Sequence, residues 1–190
     1  MIRRALRWLA LGPIVAAALL LRACYALGLV RFLTASRLVA MVPGAVGIHL
    51  RRFWYGWTLA ACGRDLIVDW MGVLKTPSIR IGHRAFIGSF SFIAESVLRD
   101  DVMIAHHVVV QGGPHTHGFD RTDVPIHAQA GDIRPVTIGP DVWIGAGACI
   151  LADVAPSTVV GAGAVVTRVA EPNAVLAGVP ARVVRLRGRR

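Results

Sequence analysis

The sequence predicts an all-β solenoid, a parallel β-helix, preceded by an apolar helical segment. Three observations carry this expectation. A six-residue period runs from residue 81 onward, no Asn-Gly type hairpin turns separate its units, and the first third of the chain is apolar and basic without a single acid.

The N-terminal segment comes first. The chain has 190 residues, 55% of them apolar, and a mean hydropathy of +0.58, which excludes disorder. Its formal charge is +10, yet only 17% of residues are charged, which argues against a soluble nucleic-acid binder. Residues 1–64 hold nine arginines and no acid, residues 65–167 six bases and ten acids, and residues 168–190 six bases and one acid. A neutral-to-acidic body therefore sits between two basic ends. Cys24, Cys62 and Cys149 are odd in number and lie far apart, so neither a disulfide framework nor a cysteine zinc site is expected. A reducing cytoplasm fits that usage.

Trp8 to Leu21 is a run of 14 apolar residues, about 21 Å as a helix, which is short of a hydrocarbon core of about 30 Å. Lengthening the run takes in Arg22, and Arg3, Arg4 and Arg7 before it are matched by Arg31, Arg37, Arg51 and Arg52 after it. The expected arrangement is a re-entrant or interfacial helical hairpin on the cytoplasmic face of a bacterial inner membrane. Gly12-Pro13 would weaken its first helix, and the arginines would lie among anionic headgroups. Two alternatives stand beside it. A signal peptide lacks a clean cleavage site, and a soluble helical subdomain would bury this surface on the protein's own body or a sister subunit.

The repeat units open at Ile81, Ile87, Ile93, Leu98, Ile104, Val110, Ile138, Ile144, Ile150, Val160 and Val166. The fifth position is small or β-branched in ten of these eleven units (Ala85, Ser91, Val97, Val102, Val108, Val142, Ala148, Val154, Ala164 and Ala170), with Pro114 as the exception. Such a period is too short for a βαβ unit and wrong for an amphipathic helix. In a β-helix both positions point inward, and stacked coils bury them. Position two is Gly or Ala in seven units, the expected place for a corner with positive φ. The domain boundaries expected are 1–64 for the helical segment, 65–185 for the β-helix with a protruding loop at 116–137, and 186–190 for a basic tail.

The segments VTIGPDVWIGAGACI, VVGAGAVVTR and AGVPARVVR make residues 79–185 similar to the hexapeptide-repeat acyltransferases with a left-handed β-helix. That group includes galactoside and maltose O-acetyltransferases and sugar O-acetyltransferases of surface-polysaccharide pathways. VPGAVGIHLRRFWY at 42–55 also resembles a lead-in of members acting on envelope saccharides. The resemblance implies homotrimers that bind acetyl-CoA between neighbouring β-helices and need no metal.

Between His115 and Ile138 a polar stretch interrupts the repeat and must project as a loop. It carries His115, His117 and His127. A histidine at a rigid β-helix edge can take a hydroxyl proton as the oxygen attacks a thioester, and a backbone N–H can stabilise the resulting oxyanion. The resemblance places the base on His115 and the oxyanion donor on Ala146. It sets Trp143, Gly145 and Ala162 along the pantetheine groove, and Thr167, Arg168, Arg182 and Arg185 at the phosphate and adenine end. His117 and Asp120 are candidates to touch the acceptor, with His117 also an alternative base. Glu95, Asp120 and Asp123, or a backbone carbonyl, are candidates to orient His115. His106 and His107 are expected on a coil corner at the surface. Galactoside-type members carry an asparagine on the coil before the loop, where this chain has Phe86-Ile87-Gly88-Ser89, so a simple galactoside is not the expected acceptor.

The basic, apolar N-terminus points instead to a polyprenyl-linked or otherwise membrane-bound saccharide. The competing functions are a γ-class carbonic anhydrase-like zinc lyase on the same fold, with three histidine ligands, and a non-catalytic membrane scaffold. GAG at 145–147 and 161–163 does not open a helix, which excludes a dinucleotide fingerprint.

Overall fold

The computed structural model describes residues 2–188, with side chains from residue 12 onward. The side chains of Arg3, Arg4, Arg7 and Trp8, and the tail residues Arg189 and Arg190, therefore lie outside the described part. Three helices come first: α1 (Ile2–Ala26), α2 (Phe32–Ala40) and α3 (Gly44–Thr58). A parallel β-solenoid follows, whose coils contribute in turn to three sheets.

The first sheet holds β1 (Ala61–Cys62), β4 (Arg80–Ile81), β7 (Ser96–Leu98) and β10 (Val136–Ile138). The second stacks β2 (Ile67–Val68), β5 (Phe86–Ile87), β8 (Met103–Ile104), β11 (Trp143–Ile144), β13 (Val159–Val160) and β15 (Ala174–Ala177). The third stacks β3 (Val73–Leu74), β6 (Phe92–Ile93), β9 (Val109–Val110), β12 (Cys149–Ile150) and β14 (Val165–Val166). A last strand, β16 (Arg182–Leu186), pairs antiparallel with β15 and closes the open end of the second sheet.

All eleven unit-opening residues point inward and are at most 3% exposed. Their period is explained by the geometry: each unit is one two-residue rung and one corner, so every sixth residue returns to the core. The fifth position is also inward in most units, with two differences. In the five-residue unit after Ile93 the inward place is taken by Ser96, not Val97, and its hydroxyl is satisfied by the Ala94 carbonyl at 2.9 Å. Ala170 is half-buried, where the chain leaves the regular coils.

The corners correct one expectation. Positive φ falls on position four, not position two: Arg84, Phe90, Asp101, His107, Asp141, Gly147 and Gly163 have φ between 54° and 70°. Position-two glycines serve close approach instead. A Cβ on Gly88 would lie 2.6 Å from the Ala105 carbonyl carbon, and one on Gly145 would lie 2.6 Å from the Ala162 amide nitrogen.

The solenoid contains one more coil than the repeat starting at 81 suggests. Its first strand, Ala61–Cys62, lies ahead of the boundary drawn at 65 from the charge distribution, and Leu66, Val68, Leu74 and Ile79 are fully buried. Cys62, Val68 and Leu74 keep the six-residue spacing, but a seven-residue step to Ile81 hides it.

The helices depart from the expected hairpin. Helix α1 passes unbroken through Pro13, and the chain turns at Gly28, whose φ is +74°. Tyr25 of α1 and Phe32 of α2 pack on Trp54 of α3, at centroid separations of 5.6 and 5.7 Å. Helix α3 in turn sits on the first coil. Arg51 and Arg52, read from sequence as membrane-flanking, both point at it: Arg51 Nε donates to the Val68 carbonyl (2.8 Å) and Arg52 Nε to the Leu66 carbonyl (2.9 Å). Arg51 is fully buried, and its Nη1 also donates to the carbonyls of Val39 (2.9 Å) and Val42 (2.8 Å) at the end of α2. Burial lowers its pKa. Tyr55, also fully buried, accepts the Leu74 N–H at 3.2 Å, and burial pushes its phenol up to about 12.

Candidate active site

The interruption of the repeat is a loop held by its stem. After β9 the chain leaves the third coil at Gly112, pressed so closely on the returning strand that a Cβ would lie 2.8 Å from Ile133 Cγ2. Arg134 N–H donates to the Gly112 carbonyl (3.0 Å) and Asp132 N–H to the His115 carbonyl (2.7 Å). His115 is therefore pinned through its backbone at the mouth of the loop. Its side chain is exposed and stacks on Phe119, with ring centroids 6.0 Å apart.

Within the loop Gln129 acts as a strut. Its Nε2 donates to the carbonyls of Arg121 (2.7 Å) and Val124 (2.9 Å), and its Oε1 accepts the Arg121 N–H (3.1 Å). Two candidate orienters of His115 are engaged elsewhere. Glu95 accepts the Ser78 hydroxyl at 2.6 Å, and Asp123 is paired with Arg121, which holds its carboxyl below the usual range. His117 and Asp120 are exposed on the loop, and His127 lies in a short 3-10 turn. Among the described residues no group of three His, Cys, Asp or Glu side chains converges as metal ligands.

The second cluster lies where the second and third sheets meet. Ala146 follows β11, and its N–H donates to no carbonyl among the described residues, while its carbonyl accepts the Gly163 N–H at 2.8 Å. Ala146-Gly147 and Ala162-Gly163 are thus stacked on successive coils, and no side chain there is larger than a methyl. Below them the same edge is crowded: His107 stacks on Phe90 (5.0 Å), which meets Trp70 (5.2 Å). The edge passes from aromatic to bare backbone, leaving a shelf beside Trp143, which is half-exposed.

The third cluster caps the end of the solenoid. Arg168 and Arg182 line a cavity of about 210 Å³ with Leu176 and Ala181. Thr167 is exposed beside Arg168. The register of β15 with β16 shifts between Val175 and Leu176, pairing Arg185 with Val175 and Arg182 with Ala177. Val175 and Ala177 are two apart and share a face, so the shift brings both arginines to it.

No family model matches the chain. It is similar to a solved galactoside acetyltransferase in complex with coenzyme A, at 25% identity over 83% of this chain and 83% of that one, with a TM-score of 0.65. The chain has the fold of the hexapeptide-repeat β-helix acyltransferases. A maltose O-acetyltransferase from Clostridium difficile 630 has the same fold (24% identity, 80% of this chain and 81% of that one, TM-score 0.69). So does AntD, an N-acyltransferase from Bacillus cereus solved with dTDP and 3-hydroxybutyryl-CoA (21%, 67% and 72%, 0.57).

The residues of this hexapeptide-repeat protein fit an acyl-CoA. The bare shelf admits a thin chain against backbone, and the end cavity sets two guanidinium groups beside an apolar floor. Three residues with roles at these clusters had no sequence signal. Phe119 and Gln129 depend on how the loop folds back, and Arg187, counted within a basic tail, donates to Asp141 Oδ2 (2.8 Å) and the Ser157 carbonyl (3.0 Å), fastening β16 to the coils.

Proposed function

We propose that this acyltransferase moves an acetyl group from acetyl-CoA to a hydroxyl of a membrane-bound saccharide, with His115 as general base and no acyl-enzyme. When bound, acetyl-CoA supplies an activated thioester. Arg168, Arg182 and Arg185 would hold its phosphates, and the bare steps at Ala146-Gly147 and Ala162-Gly163 would let its thin arm lie against backbone. The His115 imidazole takes the acceptor hydroxyl's proton as the oxygen attacks, and passes it to the leaving thiolate. The unpaired N–H of Ala146 stabilises the charge that develops on the carbonyl oxygen. His117 and Asp120 contact the sugar from the loop.

The observation that carries this reading is His115 itself, fixed by its backbone, with its exposed ring set against Phe119. A sugar acceptor is supported by what the galactoside and maltose enzymes are named for. A trimer is supported by the outer face of the second sheet, where Ile67, Phe86, Met103, Trp143 and Val159 stand in one row in register. Membrane attachment is supported by exposed Arg22, Arg31 and Arg37 in a segment without an acid and by exposed Leu19, Leu27, Leu29 and Met41. Among the described residues no helix is long and apolar enough to cross a membrane; the attachment proposed is to the membrane surface, on the cytoplasmic side. Transfer of labelled acetyl from acetyl-CoA to polyprenyl-linked and free saccharides, with and without residues 1–40, tests it. Preference for the lipid-linked acceptor that is lost with the deletion supports the reading. Equal use of free sugars by both forms rejects the membrane part.

A further inference from the structure

The helical segment contains a feature that surface attachment alone does not need. Between the three helices lies an open cavity of about 310 Å³ walled by Leu20, Leu21 and Cys24 of α1, Leu38 and Val39 of α2, and Leu50 of α3. No wall residue is charged. Leu20 is 68% exposed and Leu38 50% exposed, so the apolar walls open to the outside. Arg22 and Arg37 follow and precede the wall residues Leu21 and Leu38 in sequence, and both are exposed. Among the described residues neither has an acidic partner, and the segment holds no acid that could serve.

We infer that this groove takes a single hydrocarbon chain of an anionic lipid, with the lipid's phosphate or carboxylate met by Arg22 and Arg37. An apolar trough in a segment whose only charged residues are cations matches an amphiphile with an apolar tail and a negative head. A second copy of the chain fits poorly there, because its own helical segment would bring a further set of exposed arginines, Arg22, Arg31 and Arg37, against the first. The inference deepens the membrane-saccharide reading and rests on it for the identity of the lipid, which would be the anchor of the acceptor. The groove and its chemistry stand without that reading.

The test uses the full-length protein and 11-(dansylamino)undecanoic acid, an anionic fluorescent chain. Saturable binding of one probe per protomer with blue-shifted emission is expected. Unlabelled carboxylic acids should compete more strongly with length, by about fourfold per added CH₂ until the groove is filled. Leu38→Glu should weaken the probe at least tenfold, while Val46→Gln, exposed on α3 away from the groove, should leave it within twofold. Acetyl-CoA affinity should be unchanged in both. Non-saturable binding, competition independent of chain length, equal effects of the two substitutions, or a fall in oligomeric mass on Leu38→Glu would each overturn the groove assignment. The length series on the wild type decides the matter should Leu38→Glu fail to fold. The acceptor reading has its own readout, acetyl transfer to alkyl glycosides of increasing length. Probe binding without length-dependent transfer keeps the groove and rejects the lipid-linked acceptor.

Discussion

Replacing Arg51 with leucine tests how the helices are held on the solenoid. The substitution removes three hydrogen bonds of 2.8 to 2.9 Å and strands the carbonyls of Val39 and Val68, which are buried, and of Val42, which is half-buried. Each stranded carbonyl costs about 1 to 3 kcal/mol. Against this, the variant no longer buries a guanidinium whose Nη2 has no partner, which returns several kcal/mol of desolvation. The net expected loss is about 3 kcal/mol, or about 6 to 12 °C in Tm for a chain of this size. Arg51→Lys keeps the charge but cannot span α2 and the first coil together, and should fall between the two. Thermal unfolding followed by circular dichroism provides the assay, with acetyl-CoA affinity as the control, since the cluster proposed to bind it lies on later coils. An Arg51→Leu protein with wild-type Tm would refute the view that this side chain fastens the helices.

Tyr55 gives a pH prediction. Its folded pKa is raised to about 12 from 10.0, so the folded state keeps the proton that the unfolded state loses first. The stability this contributes is complete below pH 10 and is lost as pH rises toward 12; Tyr55→Phe should flatten that alkaline limb in urea titrations at fixed pH. Arg168→Ala and Arg182→Ala should each weaken acetyl-CoA about tenfold by calorimetry, more at low salt, with turnover at saturation nearly unchanged. Wild-type protein should also prefer CoA to dephospho-CoA, and equal affinity would contradict the phosphate assignment. Gln129→Ala, which unties the loop beside His115, should lower kcat about tenfold at constant acetyl-CoA affinity; an unchanged kcat would make the strut irrelevant to chemistry.

The repeat was legible because a β-helix writes its core into the sequence at fixed spacing: Ile81, Ile87 and Ile93 occupy the same place on successive faces. What the spacing hides is which neighbour a residue meets on the next coil. Gly145 was read as a corner residue, whereas it is small because Ala162 lies against it. Arg51 and Arg52 resemble the other N-terminal arginines by composition, and only the docking of α3 separates them from Arg22, Arg31 and Arg37. The end cluster was legible in residues but not in geometry, because the shift that aligns Arg182 with Arg185 belongs to strand pairing. His115 was legible by its place at the break in the repeat. Phe119 and Gln129, which define its surroundings, were not, since loop contacts follow no period.

The central claim is that His115 is the base of an acetyl transfer. Measuring acetyl-CoA turnover by His115→Ala and His117→Ala proteins, alongside their affinity for acetyl-CoA, tests it most directly. The account predicts a loss of about 10² to 10⁴ in kcat for His115→Ala at unchanged affinity, and a much smaller loss for His117→Ala. Wild-type turnover by His115→Ala, or the larger loss in His117→Ala, would contradict it.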